Sequence, residues 1–291
     1  MARLARVGVL VSWFFVFVAV LPAQAGIECG TEVVRSVPFK YCIDKDPKKS
    51  TGDILFFLHG IGGSETTFST AQRHQALRTS LQHSGRLPTI ITISFGPAWL
   101  VTNIPTAKHP ALMPFVLMDA IPALEKKVGG LRGGRRLLMG ESMGGMNAAM
   151  LSLAAPTTFS KVALVCPALF TVGPYSTQEE VEAYIARHQP YILRDKVEQA
   201  NALGAEEFPT AELYDQHNPI LWAQRTQNGF PPYYISMNTR DEYGVHEGAS
   251  VFADMLRMRG QDPTFVAIVG LGHCYPTPDS IAALTKYLAT P

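Results

Sequence analysis

Short apolar runs alternate with longer segments of helical pattern over most of this chain. The runs end in glycine or in polar turns: "DILFFLHG", "PTIITISFG", "RRLLMG", "KVALVCPAL", "PPYYISMNT" and "PTFVAIVG". Nearly continuous apolar character over a few residues is typical of strands buried on both faces of a parallel sheet. The segments between them predict helices: "ETTFSTAQRHQALRTSLQHSG", "MPFVLMDAIPALEKKVGG", "GGMNAAMLSLAAP", "GASVFADMLRMRGQ" and "DSIAALTKYLA". The alternation predicts an α/β fold, with a mostly parallel central sheet and helices on both faces.

Residues 171–230 interrupt this alternation. The segment contains helix-like pieces, "TQEEVEAYIARH" and "ILRDKVEQANALG", but no strong strand pattern. A connection of this length is more typical of a folded insertion than of a structureless loop. We therefore predict one domain over residues 26–291, with a helical cap insertion at 171–230.

The first 25 residues have the composition of a targeting segment. Arg3 and Arg6 precede the apolar run "VGVLVSWFFVFVAVL", and "PAQA" then offers small residues at Ala23 and Ala25. This pattern predicts a secretory signal peptide cleaved after Ala25. An uncleaved anchor is the alternative, but the run is shorter than the roughly 20 residues that span a bilayer. We expect an exported protein, periplasmic or secreted, without stable membrane insertion after cleavage.

Four cysteines follow the predicted signal peptide. An even number in an exported protein permits two disulfides. Cys29 and Cys42 flank "GTEVVRSVPFKY", which predicts a hairpin or extended pair, so we pair them and leave Cys166 to pair with Cys274. Buried free thiols are the alternative, because cysteine also packs as a small hydrophobe. The sequence has no C-x-x-C spacing, which argues against a zinc or redox site.

Composition narrows the classes of partner. The 291 residues are 47% hydrophobic, enough for a large core, and 25 basic residues nearly balance 24 acidic ones to give a net charge of +1. A near-zero charge without runs of like charge does not support a nucleic-acid or anionic-membrane partner. The oligomeric state is left open, and a small-molecule ligand is expected.

Candidate chemistry begins at "GESMGG", residues 140–145. Its first five residues match G-x-S-x-G, with the strand pattern "RRLLM" before it and a helix pattern after it. In this context a tight strand-to-helix turn, possible only with small flanking residues, exposes the serine at the carboxyl edge of the sheet. The motif predicts Ser142 as a nucleophile. An ordinary serine in a glycine-rich connection is the alternative.

A second glycine-rich segment, "HGIGG" at 59–63, follows the strand pattern "DILFFL". It resembles the H-G-x-G type of segment whose backbone N–H groups stabilise an oxyanion. We assign this role to the N–H groups of Ile61 and Met143. Gly60 and Gly62 are alternatives to Ile61.

The residues that would complete a triad follow in the chain order serine, acid, histidine. Asp241 comes directly after "PPYYISMNTR", with Glu242 as the alternative acid, and His273 ends the loop after "PTFVAIVG". His246 competes with His273 but begins a predicted helix instead of following a strand. The acids and histidine between 241 and 247 could suggest a metal site, but no complementary ligands accompany them. We expect neither a metal nor a cofactor.

The segment "MPFVLMDAIPALEKKVGGLRGGRRLLMGESMGGMNAAMLSLAAPTTFSKVALVCPAL", with "FFLHGIGGS", "NTRDEYG" and "GLGH", resembles the esterase D family of α/β-hydrolases. The resemblance implies an α/β-hydrolase fold and a serine carboxylic-ester hydrolase whose triad is Ser142, Asp241 and His273. Two residues depart from the family pattern: Glu141 stands where histidine is frequent, and Cys166 where serine is frequent.

These residues predict cleavage of a small-molecule ester through an acyl-enzyme, with water as the final acceptor. The alternatives are an acyltransferase that uses the same acyl-enzyme, or a non-catalytic binding protein on a hydrolase scaffold. Aromatic residues in post-strand loops and the cap could wall the substrate pocket, although core packing is the commoner role for any one of them taken alone: Trp99, Phe170, Tyr175 and Trp222.

Overall fold

The computed structural model describes residues 26–46, 51–226 and 229–291; the predicted signal peptide, residues 1–25, lies outside them. Within the described residues, one sheet contains eight strands. They are β1 (Ile27–Val34), β2 (Val37–Asp44), β3 (Ile54–Leu58), β4 (Thr89–Ser94), β5 (Arg136–Glu141), β6 (Lys161–Val165), β7 (Tyr233–Arg240) and β8 (Thr264–Leu271).

The spatial order of the strands is β1-β2-β4-β3-β5-β6-β7-β8. The pairs β1–β2 and β2–β4 are antiparallel, and every other neighbouring pair is parallel. The mostly parallel sheet is therefore confirmed. Because β3 lies between β4 and β5, the connection from β4 to β5 crosses it. Ligand crevices in open α/β sheets form outside the carboxyl ends of the strands at such a point.

The antiparallel hairpin at one edge of the sheet confirms the first predicted disulfide. Arg35 and Ser36 form its two-residue turn with φ of 47° and 65°, the left-handed conformation that a tight hairpin requires. The resulting register places Cys29 directly opposite Cys42. Their Cα atoms lie 4.0 Å apart and their sulfur atoms are bonded.

Helices cover both faces of the sheet, as predicted. In the described residues they are α1 (Thr67–Thr70), α2 (Gln72–His83), α3 (Leu112–Phe115), α4 (Ile121–Lys127), α5 (Met143–Ala154), α6 (Gln178–Arg187), α7 (Arg194–Glu207), α8 (Ala211–His217), α9 (Pro219–Arg225), α10 (His246–Met258) and α11 (Pro278–Ala289).

The two faces of the sheet bury separate apolar clusters because successive side chains of a strand point in opposite directions. On β3, Phe56 packs in the larger cluster together with residues of α5 and α10. Phe57, the next residue, packs in the other cluster with residues of α2 and α11. The strands between these layers are buried on both sides, which explains their nearly continuous apolar sequences.

One predicted helix, residues 65–85, is instead two helices. The helix is interrupted at Ala71, which has extended backbone angles of φ −77° and ψ 127°. Serine and threonine side chains before the break bond to nearby backbone groups; for example, the Thr67 hydroxyl accepts from the Ser64 N–H. Such bonds compete with the helical ladder. After the break, the side chains of His74 and Gln75 face the carbonyls of Thr67 and Phe68.

The predicted helix over 113–130 is also irregular. It runs through α3, a π-helical turn at Val116–Ala120, and α4. Pro122 stands in the first turn of α4 and has no N–H to donate, so a regular α-helical ladder cannot continue through it. The wider turn precedes this proline.

The segment between β6 and β7 contains α6, α7, α8 and α9, and its described residues include no strand. α6 begins with a reciprocal capping box, in which Thr177 and Glu180 satisfy each other's backbone N–H groups. The cap at 171–230 and the single domain at 26–291 stay interpretations. Across the part of the chain that the structure describes, no helix is long and apolar enough to cross a bilayer.

Candidate active site

The turn between β5 and α5 presents Ser142 in a strained conformation. Ser142 has φ 55° and ψ −118°, unusual for a non-glycine residue, and is 8% exposed. The neighbouring glycines make this turn possible. A Cβ on Gly140 would collide with the Gly144 carbonyl, and a Cβ on Gly144 would collide with the Leu58 carbonyl. The strand can therefore turn sharply into the helix only because both positions lack a side chain.

Three side chains from different loops form a continuous hydrogen-bonded chain. The Ser142 Oγ lies 2.7 Å from His273 Nε2, and His273 Nδ1 lies 2.7 Å from Asp241 Oδ2. Asp241 is 1% exposed, and its other oxygen, Oδ1, accepts the Tyr243 N–H at 2.8 Å. Because a carboxylate only accepts, Nδ1 carries the proton and the unprotonated Nε2 faces the serine hydroxyl.

The structure leaves the alternative acid and base outside this chain. Glu242, adjacent to Asp241, accepts the Leu193 N–H through its backbone carbonyl. His246 packs edge-on against the His188 ring, with 4.8 Å between ring centroids. Their neighbour Glu247 is bound by Arg187 and Thr171.

A disulfide fixes the loop that carries His273. Cys274 is bonded to Cys166, the residue after β6, with 5.2 Å between their Cα atoms, which confirms the second predicted pair. Both sulfur atoms lie near His273, but bonded to each other they are not the thiolates that bind metals. The bond instead ties the His273 loop to the edge of the sheet that presents Ser142.

The two residues predicted to stabilise an oxyanion lie beside Ser142. Ile61 and Met143 both line the cavity that contains the Ser142 hydroxyl. Gly62, an alternative donor at the sequence level, instead donates to the Pro97 carbonyl at 2.7 Å. Met143 begins α5, so its N–H belongs to the partly positive end of that helix.

His59, the first residue of the "HGIGG" loop, is fully buried and hydrogen-bonded. His59 Nδ1 donates to the Gly60 carbonyl at 2.8 Å, while Nε2 accepts from the Trp99 indole N–H at 3.3 Å and lies 2.9 Å from Ser94 Oγ. Burial lowers the pKa of His59, which favours the neutral ring that this pattern requires. Trp99 also donates its backbone N–H to the Met143 sulfur, so it contacts both glycine-rich segments.

Residues 26–251 match the family described as "Putative esterase". The chain belongs to this family. It is a carboxylic ester hydrolase, and its structure has the α/β-hydrolase fold. The finer resemblance to the esterase D family stays a prediction.

Similar solved structures include a ferulic acid esterase, with a TM-score of 0.66, 15% identity, and 91% of this chain and 97% of that chain covered. A brefeldin A esterase, described as a bacterial homologue of human hormone-sensitive lipase, has a TM-score of 0.68 and 18% identity, covering 92% and 78%. An esterase from Rhizomucor miehei has a TM-score of 0.67 and 19% identity, covering 90% and 83%. These likenesses establish the fold alone. A comparison with curated protein sequences finds no match.

Glu141 of the esterase, the departure noted next to Ser142, lies in a buried ionic cluster. It is 3% exposed; the Arg73 guanidinium donates to both of its oxygens, and His74 Nε2 lies 2.5 Å from Oε2. Burial alone would raise the pKa of this carboxyl. The hydrogen bonds and charges of His74 and Arg73 outweigh burial and hold the pKa below its ordinary value. The cluster joins the nucleophile turn to α2.

A largely apolar cavity of about 620 Å³ opens beside Ser142. The catalytic-face loops supply its floor, and α7 and α8 of the insertion supply its far side. Its described lining residues are Ile61, Leu100, Ser142, Met143, Met146, Ala168, Phe170, Gln199, Ala200, Asn201, Leu203, Gly204, Tyr214, Tyr243, Val245 and His273.

The four predicted pocket aromatics occupy different environments. Phe170 lines the cavity beside Ser142, as expected for a substrate contact. Tyr175 lines a separate outer cavity. Trp222 packs against the main core cluster, and Trp99 is fully buried as the hydrogen-bond donor to His59. Trp99, Tyr175 and Trp222 therefore do not line the cavity at the serine. Their sequence positions after strands or in the insertion do not determine which way the rings turn.

Sequence reasoning missed three residues near the site. The Tyr243 ring lies 4.5 Å from the His273 ring, between centroids, and lines the cavity. Arg73 holds Glu141 from a helix far away in sequence, which no local pattern indicates. Tyr214 closes the far side of the cavity. Its only available signal was an aromatic residue in a polar helix of the insertion.

Proposed function

We propose that this esterase hydrolyses its ester by nucleophilic catalysis through Ser142. The observation that carries the proposal is the chain of two 2.7 Å hydrogen bonds from Ser142 through His273 to Asp241. A nucleophile in contact with a base, which a buried acid orients, is the arrangement that activates a serine hydroxyl.

In the first half-reaction the Ser142 Oγ attacks the ester carbonyl carbon while its proton moves to His273 Nε2. The tetrahedral intermediate then breaks its bond to the alcohol oxygen, and the alcohol leaves with the proton from His273. In the second half-reaction His273 removes a proton from water, and the water oxygen attacks the acyl carbon. The new tetrahedral intermediate breaks its bond to Ser142 Oγ, which takes the proton back from His273, and the acid is released. Asp241 holds the imidazole in one tautomer and stabilises the imidazolium.

A negative charge develops on the carbonyl oxygen, and we assign its stabilisation to the N–H groups of Ile61 and Met143. Such a donor is worth roughly 3 to 4 kcal/mol in comparable sites. The Trp99 contacts to His59 and to Met143 support this assignment, because they hold the two donor segments in a fixed relation.

The test uses p-nitrophenyl acetate and the purified full-length or naturally processed protein. We expect Ser142→Ala to lower kcat by roughly 10⁴-fold or more. Ser84→Ala, at an exposed position at the end of α2, is the matched control and should keep wild-type turnover. An organophosphate should label Ser142 stoichiometrically. Labelling of a different serine would refute the proposal. Hydrolysis also requires the free acid to remain the main product when alcohols are added, whereas transfer would give new esters.

We also propose export, with removal of residues 1–25. Two disulfides are typical of proteins that fold in oxidising compartments. Mass spectrometry of the protein from the medium or periplasm should find Gly26 at its N-terminus. An intact Met1 in that fraction would contradict the proposed cleavage.

A further inference from the structure

Two cavities meet at a thin partition formed by two aromatic side chains. The inner cavity contains Ser142 and His273. An outer cavity of about 890 Å³ is lined by Phe170 and by residues of the insertion. Among the described lining residues, only Phe170 and Tyr214 contribute to both cavities. These two rings therefore separate the space beside the nucleophile from the space behind it.

The Tyr214 ring packs beside two glycine residues, Gly173 and Gly204, which have no side chains. A Cβ on Gly173 would lie 2.5 Å from Tyr214 Cε1, and a Cβ on Gly204 would lie 3.6 Å from Cε2. The ring also contacts Phe208 and Tyr175, with centroid distances of 6.0 Å and 6.4 Å. The close approach of the Gly173 backbone and the neighbouring rings therefore hold the Tyr214 ring in place.

The two cavities also differ in charge. The described residues of the inner cavity include no aspartate, glutamate, lysine or arginine. The outer cavity is lined by Glu180 and Asp215. A charged group enclosed in the inner cavity would find no partner of opposite charge, and burial of an unpaired charge is costly. The inner cavity therefore suits a neutral, apolar group.

We propose that Tyr214, together with Phe170, is the end wall that sets the length of the uncharged apolar chain this esterase accepts. The chain is carried by the acyl or the alcohol side of the ester. It extends from Ser142 toward α8 and stops at the Tyr214 ring. The proposal rests on the proposed function of Ser142, and it assigns the outer cavity as the space that longer chains reach when the wall is removed.

The expected size of the effect follows from burial of methylene groups. Each methylene that leaves water contributes about 0.8 kcal/mol, which corresponds to about fourfold in kcat/KM. Removal of the Tyr214 ring provides room for more than one methylene. The preference for the first ester beyond the wild-type limit, relative to the acetate, should rise at least about tenfold.

The experiment measures kcat/KM over two ester series. One contains p-nitrophenyl esters from acetate to laurate, and the other contains acetates of linear alcohols from ethanol to dodecanol. In wild type, kcat/KM should rise with chain length and then fall in one of the series, which identifies the side of the ester that enters the cavity. Tyr214→Ala should move the maximum of that series to longer chains. Tyr214→Phe, the matched control, keeps the ring and should keep the position of the maximum.

Phe170→Ala opens the same partition from the loop after β6, and provides a second test if Tyr214→Ala does not fold. Circular dichroism and the thermal midpoint establish folding for each variant. Unchanged maxima in both series for folded Tyr214→Ala or Phe170→Ala would overturn the proposal. An equal shift in Tyr214→Phe would also overturn it, because the hydroxyl and not the ring would then be responsible.

A charged substrate tests the other half of the proposal. If the acyl series has the maximum, the p-nitrophenyl monoester of glutarate should have a kcat/KM at least about tenfold below that of the neutral pentanoate ester. If the alcohol series has it, 5-acetoxypentanoate should have a kcat/KM at least about tenfold below that of pentyl acetate. Equal values would refute an uncharged chain site. Failure of the proposed function is distinguishable, because Ser142→Ala would then retain turnover of the acetate whatever the length profile shows.

Discussion

The two disulfides allow one comparison in which the same chemical change has different expected consequences. Cys166→Ala/Cys274→Ala removes a cross-link between residues 108 apart in sequence, and Cys29→Ala/Cys42→Ala removes one between residues 13 apart. Loss of a cross-link increases the entropy of the unfolded chain, and more so for the longer loop. The chain-entropy relation gives about 5 kcal/mol for the first pair and about 3 kcal/mol for the second.

The positions of the pairs predict a second difference, in activity. Cys274 is adjacent to His273, and its bond ties the His273 loop to the residue after β6. Cys29 and Cys42 join β1 to β2 at the edge of the sheet farthest from β8. A misplacement of the base by about 1 Å can cost 10²-fold in rate. The 166/274 double variant should therefore lose kcat by at least about tenfold, whereas the 29/42 variant should keep wild-type kcat.

Urea unfolding followed by tryptophan fluorescence measures the stability difference, and p-nitrophenyl acetate hydrolysis measures kcat. Thiol titration of the unfolded, unreduced wild type should find no free thiol, consistent with both bonds. Equal losses of stability in the two double variants would refute the entropic reasoning. A 166/274 variant with wild-type kcat would refute a positioning role for the disulfide.

Three further substitutions test buried polar groups. Glu141→Gln should lower the free energy of unfolding by about 3 kcal/mol at pH 7, because a buried pair loses one partner. Since the folded pKa of Glu141 lies below its unfolded value of 4.5, this difference in stability should shrink as the pH falls through the folded pKa. A constant difference from pH 7 to pH 3 would contradict this. Glu207, 1% exposed at the end of α7, has a pKa raised by burial, so its protonated form stabilises the fold below pH 4.5 and that stability is lost as pH rises through the folded pKa. Glu207→Gln should therefore be more stable than wild type in urea at pH 8 by about 1 kcal/mol or more and equal to it at pH 4, an expectation that a less stable variant at pH 8 would refute. Trp99→Phe removes the indole donor to His59. In the acetate assay it should lower kcat about fivefold, which corresponds to the free energy of one hydrogen bond. Trp222→Phe is the control and should show no loss of kcat.

The fold and the triad geometry were accessible from sequence because both depend on local pattern and chain order. Buried parallel strands appear as apolar runs, and parallel strands bring the loops after β5, β7 and β8 to one edge of the sheet. Ser142 and Asp241 follow β5 and β7 directly, and His273 comes two residues after the end of β8. The order of the strands in the sheet could not be predicted, but only their shared direction is needed to bring these loops to one edge.

Features that depend on partners far apart in the sequence could not be predicted from it. Glu141 is paired with Arg73 and His74, 68 and 67 residues away. The break at Ala71 depends on side-chain bonds that a helical pattern does not contain. The same holds for Trp99, because the sequence shows an aromatic residue after a strand but not the buried histidine that accepts a hydrogen bond from its indole N–H.

The position of His273 after β8, the last strand among the described residues, has a consequence for biosynthesis. A growing chain that has reached residue 260 already contains Ser142 and Asp241, but it lacks β8, the base and Cys274. α11, which follows β8, then packs against α2 near the start of the chain, where the Thr285 hydroxyl donates to Ser80 Oγ. A translation product that ends before β8 therefore lacks the proposed base of Ser142, and its serine should be inert in the acetate assay.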